Sequence, residues 1–160
     1  MKKTLMLIAA ACVVVISLTS YNLNPSGNRL GYIAPNFTAE NDMMRFELQQ
    51  SKGNYVLLTF WSSVDAESRI ANVQYDRAVK ELEGVDFISV NFDRSYGVYR
   101  EMLKIDGVNT AKQFYDCKGE DGNLYLLYGL KRGMKSLLLD KTGKVVAENP
   151  NVNDLRNLIE

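Results

Sequence analysis

The chain has 160 residues, 19 basic and 19 acidic groups, two cysteines and no histidine. Its length fits one domain, and 46% hydrophobic with 24% charged residues is the composition of a globular protein, not of a disordered or coiled-coil chain. The missing histidine excludes a Ser-His-Asp triad, a Cys-His pair and a histidine metal site within the chain. Balanced charge without a basic block beyond the start gives no electrostatic footprint for nucleic acid.

Lys2 and Lys3 precede an unbroken apolar run from Leu5 to Ile16, followed by small and polar residues to Ser20. A membrane span needs about 20 apolar residues, whereas a signal-peptide core needs about 7–15. Residues 1–20 therefore read as an export signal. A retained N-terminal membrane anchor is the alternative, because no A-x-A cleavage site follows. Cys12 lies inside the apolar run, where a lipidated cysteine would end it, which argues against lipidation. Removing the segment takes away Lys2, Lys3 and Cys12 and leaves Cys117 as the only thiol. That remainder has no internal disulfide, although an exported protein meets an oxidising compartment.

Residues 21–30, with Asn, Pro, Ser and Gly, read as a linker. Residues 31–160 read as the folded domain. Tyr55–Trp61 is nearly continuous in apolar and β-favouring residues, as a strand covered on both faces is. From Ala66 to Leu82 the period becomes helical, with Ala71, Tyr75, Ala78, Val79 and Leu82 on one face and Gly84 at the end. Val85–Asn91 is a second strand. Tyr96–Ile105 is a second helix, with Val98, Met102 and Ile105 in register and a stop at Asp106-Gly107. Lys135–Asp140 and Lys144–Ala147 form a β-hairpin about Lys141-Thr142-Gly143. Asn151–Ile159 is a short amphipathic helix. This order implies an α/β fold, a mixed β-sheet with helices on both faces.

Three motifs occur in order. Gly31-Tyr32-Ile33-Ala34-Pro35-Asn36-Phe37 resembles G-x-x-A-P-x-F, Gly53 to Trp61 resembles a GK-x-V-L-L-x-F-W strand, and Ser136 to Val146 resembles an F-L-I-D-x-x-G-x-I hairpin. Together they resemble the TlpA/ResA-type thiol–disulfide oxidoreductases, members of the thioredoxin-like superfamily related to AhpC/TSA peroxiredoxins. The resemblance implies a thioredoxin-like fold, a bacterial periplasmic setting and a redox centre F-W-A-x-W-C-x-x-C-R. Here that stretch runs from Phe60 to Arg69. Asp65 stands at the attacking cysteine and Ser68 at the resolving one. The family's cis-proline precedes the hairpin strand, and Met134 occupies that place. The three prolines, Pro25, Pro35 and Pro150, lie elsewhere.

Disulfide exchange needs a thiolate, which this fold places at a helix N-terminus. Asp65 holds that position before the helix beginning at Ala66. Its carboxylate is expected to accept from the N–H of Glu67 or Ser68 as an N-cap worth about 0.5–2 kcal/mol over alanine. An acid–base or cation-binding role, aided by Glu67 and Asp93, is the sharper alternative. Trp61 reads as core packing that shapes the cleft. Arg69 reads as solvated, or as pairing with Asp65 one turn away. Trp61, Ser63, Asp65, Glu67, Arg69 and Met134 are the expected cleft, with no metal and no cofactor.

Cys117 reads as a small, half-buried residue at a strand end or loop, and otherwise as a thiol for mixed disulfides or a dimer bridge. Tyr96, Tyr99, Tyr125 and Tyr128 read as half-buried packing residues with wet hydroxyls. Three functions follow. The first is an exported, redox-inactive binding or accessory module with a protein or peptide partner in the cell envelope. The second is a thiol-dependent oxidoreductase, by thiol–disulfide exchange or peroxide reduction, using Cys117. The third is an extended-peptide site near Met134.

Overall fold

The computed structural model describes residues 27–159. The expected export segment 1–20, with Cys12, and residues 21–26 of the expected linker lie outside the described residues. Gly27 donates its N–H to the Ile33 carbonyl at 2.9 Å, so the chain is already bonded to the domain there.

The element order is β1 (Thr38–Glu40), β2 (Arg45–Glu47), β3 (Tyr55–Trp61), α1 (Ala66–Ala78), β4 (Val85–Asn91), α2 (Tyr96–Asp106), β5 (Gln113–Tyr115), α3 (Asn123–Leu127), β6 (Ser136–Leu139), β7 (Val145–Glu148) and α4 (Leu155–Ile159). Five strands form one sheet in the order β5-β4-β3-β6-β7. β3, β4 and β5 run parallel, and β6 and β7 continue antiparallel. β1 and β2 form a separate two-stranded antiparallel pair. The sheet is mixed and carries helices on both faces.

β3 is the central strand, and its alternation divides the core. Val56, Leu58 and Phe60 point to one side with Ile88, Val90, Leu137 and Leu139, under α3 and the β1–β2 pair. Leu57 points to the other side with Phe87 and Leu138, where Tyr75 of α1 and Leu155 of α4 pack. All five residues expected on the inner face of α1 and its extension join this second cluster. The α-helix itself stops at Ala78, and Val79–Glu81 tightens into a 3-10 turn. Trp61 on the same face is covered by Tyr99 and Leu103 of α2 and by Val108.

α2 corrects the sequence reading in one respect. Its buried residues are Tyr99 and Leu103, while Val98 and Ile105 are exposed. The apolar period was present, but Trp61 and Tyr115 select the adjacent stripe, which carries the larger aromatic surface. Gly107 ends the helix in the left-handed region at φ 64°, as expected of a glycine stop.

The tyrosines also depart from expectation. Tyr99, Tyr125 and Tyr128 are buried, and only Tyr96 of the four is exposed. Tyr128 donates its hydroxyl to the Pro35 carbonyl at 2.6 Å, fastening the segment after α3 to the start of the domain. Burial pushes the Tyr128 and Tyr99 phenols well above their ordinary 10.0, for Tyr99 with help from Tyr96 and Asp42. A raised folded-state pKa gives stability that is complete below the unfolded value and is lost as pH rises beyond it. Fold stability is therefore expected to fall steeply above pH about 10. Phenolate absorbance from these two rings is expected to appear together with the loss of circular dichroism in an alkaline titration. Phenolate absorbance from both while the dichroism is unchanged would contradict this.

Candidate functional site

The C-terminal ends of β3, β4 and β5 lie on one edge of the sheet, because Trp61, Asn91 and Tyr115 are in register. The chain leaves β3 toward β4 and β5, then crosses to place β6 on the opposite side of β3. The end of β3 is thus where connections diverge, the position at which open α/β sheets form crevices. The sequence from Ser62 to Arg69 occupies this position.

Asp65 is the N-cap of α1. Its backbone is extended (φ −105°, ψ 101°), and its Oδ1 accepts the Ser68 N–H at 2.8 Å. The Ser68 side chain is buried; its hydroxyl donates to the Asp65 carbonyl at 3.1 Å and accepts the Ser62 N–H at 3.4 Å. Serine at position 68 thus contributes two hydrogen bonds to the turn in place of a sulfur.

Asp93, just after β4, is the residue that organises this turn. It is buried, and its Oδ1 accepts the Ser62 hydroxyl at 2.6 Å and the Ser63 N–H at 2.7 Å. Its Oδ2 accepts the Asn91 amide at 3.1 Å, and its own N–H donates to Asn91 Oδ1 at 2.9 Å. A carboxylate buried this deeply is tolerable only when so satisfied. Asp93 and Asp65 share no hydrogen bond, so the geometry does not pair them as an acid and a base. In sequence Asp93 was visible only as a nearby carboxylate. The expected strand end at Asn91 was the one signal that it would reach the turn after β3.

Arg69 corrects both readings offered for it. It donates from Nε to Asp106 Oδ2 at 2.9 Å and from NH2 to Asp106 Oδ1 at 2.6 Å. This two-pronged pair ties α1 to the end of α2 and raises the Arg69 pKa, chiefly through the hydrogen bond to Asp106. The partner lies 37 positions away, beyond any helix-spacing rule.

The six expected cleft residues do not share one cleft. Trp61 is fully buried in the α2 contact and lines no opening. Glu67 is exposed. Ser63 and Arg69 line a cavity of about 490 Å³ together with Val64, Ile70 and Asp106. Val64 is 92% exposed there. Met134 lines a different cavity, on the β6–β7 side. No peptide bond among the described residues is cis, that before Met134 included. Gly133 shapes the approach to β6 instead, at φ 129° and ψ 153°, a region open essentially only to glycine.

Cys117 is exposed, not half-buried. It follows β5 in a turn where Asp116 Oδ1 accepts the Lys118 N–H at 2.9 Å. In the sheet, β4 separates β5 from β3 and the turn holding Asp65. Among the described residues there is no group of acidic or cysteine side chains that could hold a metal ion.

The sheet order, the parallel strands and the helix beginning at the end of β3 have close counterparts among solved structures. A thioredoxin-like protein from Parabacteroides distasonis superimposes with a TM-score of 0.74 at 28% identity, over 84% of this chain and 97% of that one. The chain has the thioredoxin-like fold of the thiol–disulfide oxidoreductases. The thioredoxin domain of a Bacteroides vulgatus thiol-disulfide oxidoreductase matches with a TM-score of 0.71 at 20% identity, covering 82% and 99%. A secreted thiol-disulfide isomerase from Corynebacterium glutamicum matches with a TM-score of 0.64 at 16% identity, covering 78% and 81%. No family model matches the sequence, and no curated protein matches it.

Within this thioredoxin-like site the two carboxylates are expected to differ in energetic weight. Asp65→Ala removes one cap and should cost about 1 kcal/mol. Asp93→Ala leaves the Ser62 hydroxyl, the Ser63 N–H and the Asn91 amide without their acceptor and should cost more, at least about 3 kcal/mol at the usual 1–3 for each stranded buried group. Urea denaturation of the two variants checks the order. An Asp93→Ala loss equal to or smaller than that of Asp65→Ala would contradict the assigned role.

Proposed function

We propose that this protein is an exported thioredoxin-like module without dithiol redox activity, serving as a binding or accessory component of the cell envelope. The observation that carries the reading is the chemistry at the end of β3. An oxygen occupies both positions where this fold uses sulfur, and both oxygens are committed to holding the turn. A carboxylate and a hydroxyl form no mixed disulfide, so neither can attack or resolve one. Export is supported by the signal-like segment 1–20 and by the likeness to one protein described as secreted.

The exposure of Cys117 favours one alternative, a thiol-dependent oxidoreductase. Its thiolate would attack a partner's disulfide, forming one mixed S–S bond and releasing one partner thiolate. No second thiol stands among the described residues to resolve that bond, so the product would persist until an external thiol attacked it.

Insulin-disulfide reduction separates the two. The wild-type chain is expected to match the Cys117→Ser variant, both at the level without protein. Activity in the wild type that vanishes in Cys117→Ser would favour the alternative. The double substitution Asp65→Cys/Ser68→Cys, which restores sulfur at the cap and on the first turn of α1, is expected to raise reduction above both. Catalysis by the wild type that survives Cys117→Ser would overturn both readings.

A further inference from the structure

A second surface at the same end of the domain has a chemistry unrelated to thiols. Between the turn after α3, the approach to β6 and the end of β7 lies an open cavity of about 650 Å³. Arg29, Lys131, Arg132 and Lys135 all line it. The one carboxylate among its lining residues is Glu148, which faces Lys135 at 3.8 Å. Arg29, Lys131 and Arg132 have no acidic partner among the described residues, and all three are exposed. A chain with no net charge thus concentrates unpaired cations at one place.

Apolar side chains stand beside these cations. Leu126 and Leu127 are 49% and 47% exposed and line the same cavity, and Leu30, next to Arg29, is 59% exposed. Nothing in the core requires this. Leu126 and Leu127 occupy the outer side of α3, whose inner side is Leu124 and Tyr125. Cations ringed with exposed leucines form the pattern of a membrane-surface contact, in which basic groups meet headgroups and leucines enter the interface.

The course of the chain places this surface. Asn28 and Arg29 belong to the cavity wall, and the Asn28 amide reaches the Leu127 carbonyl at 3.5 Å. The sequence preceding Asn28 leads back to the apolar run ending at Ile16. The residues between can span at most about 40 Å even when fully extended. An apolar segment held in a bilayer would therefore keep this cavity within about 40 Å of the headgroups. Such tethering raises the local concentration of membrane surface, so a weak contact suffices.

We propose that the Arg29–Lys131–Arg132 surface docks the domain onto a bilayer carrying anionic phospholipid headgroups. This rests on the envelope placement proposed above, with the segment before residue 21 retained as an anchor. Docking would fix the orientation of the domain. Each Lys or Arg near an anionic surface contributes about a fivefold factor in membrane partitioning, reduced by salt.

The test uses the full chain in lipid nanodiscs of pure phosphatidylcholine or of phosphatidylcholine with phosphatidylglycerol. Retention by the discs is measured together with amide hydrogen exchange across residues 126–133. Both discs should retain the chain, with exchange at least fivefold slower in the phosphatidylglycerol discs alone. Lys131→Glu/Arg132→Glu should abolish the slowing without changing the melting temperature, since both side chains are exposed. Equal exchange in both discs would overturn docking and leave anchoring intact. Retention by the phosphatidylglycerol discs alone, lost in the double variant, would support docking and refute the anchor. Retention by neither disc would overturn both. Equal slowing in phosphatidylcholine discs on addition of a polyglutamate peptide would overturn lipid docking in favour of an acidic protein partner.

Discussion

The site depends on one buried carboxylate. Asp93 comes from the end of β4, yet two of its four hydrogen bonds reach out of its own loop to fix Ser62 and Ser63, while the other two are exchanged with Asn91. The Ser62–Ser63 turn sets where α1 begins and how it leaves the sheet. Asp65 and Ser68 then close the first turn of that helix, and Arg69, one residue on, fastens it to Asp106 of α2. A continuous polar chain therefore runs from β4 through the turn after β3 into both helices of that face. Apolar packing could not replace it, because the turn exposes backbone N–H groups that need acceptors wherever they are buried.

The same physics explains why an aspartate suits this position. A helix N-terminus favours a negative group through its free N–H donors and its dipole. In a redox-active relative of this fold a thiolate satisfies that demand. Asp65 satisfies it with a carboxylate, and Ser68 fits its small hydroxyl into the buried place on the first turn. The chemistry and the architecture thus share one electrostatic requirement, and only the chemistry requires sulfur. Oxygen in both positions preserves the cap.

Much of the fold was legible because the central elements carry strong patterns. β3 and β4 begin and end where the apolar runs do, and the inner face of α1 follows from its spacing. The strands β1, β2 and β5 have three residues each, too few for a period to register. They are held by distant contacts instead. Asn41 donates to the carbonyls of both Ala111 and Gln113, and Gln113 exchanges amide hydrogen bonds with Asn72 inside the protein. At the site, the Asp65 cap was legible because capping is local. The roles of Asp93 and Arg69 were not, because each acts on a residue about 30 or more positions away and only the fold brings them together. The stripe chosen by α2 was hidden for a related reason: two stripes were apolar, and the aromatic surface of Trp61 decided between them.

The place of Cys117 limits what a lone thiol can do in this architecture. Asp116 continues the ladder by donating its N–H to the Asn91 carbonyl at 3.0 Å, and its side chain then holds the next turn. The residue before Cys117 is therefore pinned to β4, while Gly119 follows at φ 52° with its N–H on the Asp116 carbonyl. β4 stands between β5 and β3, and its last residues are committed to Asp93. A partner's disulfide would have to come to the β5 edge, away from the dipole of α1 that activates a thiolate in this fold. Exposure makes Cys117 available, but the scaffold withholds from it the helix end where this fold makes sulfur reactive.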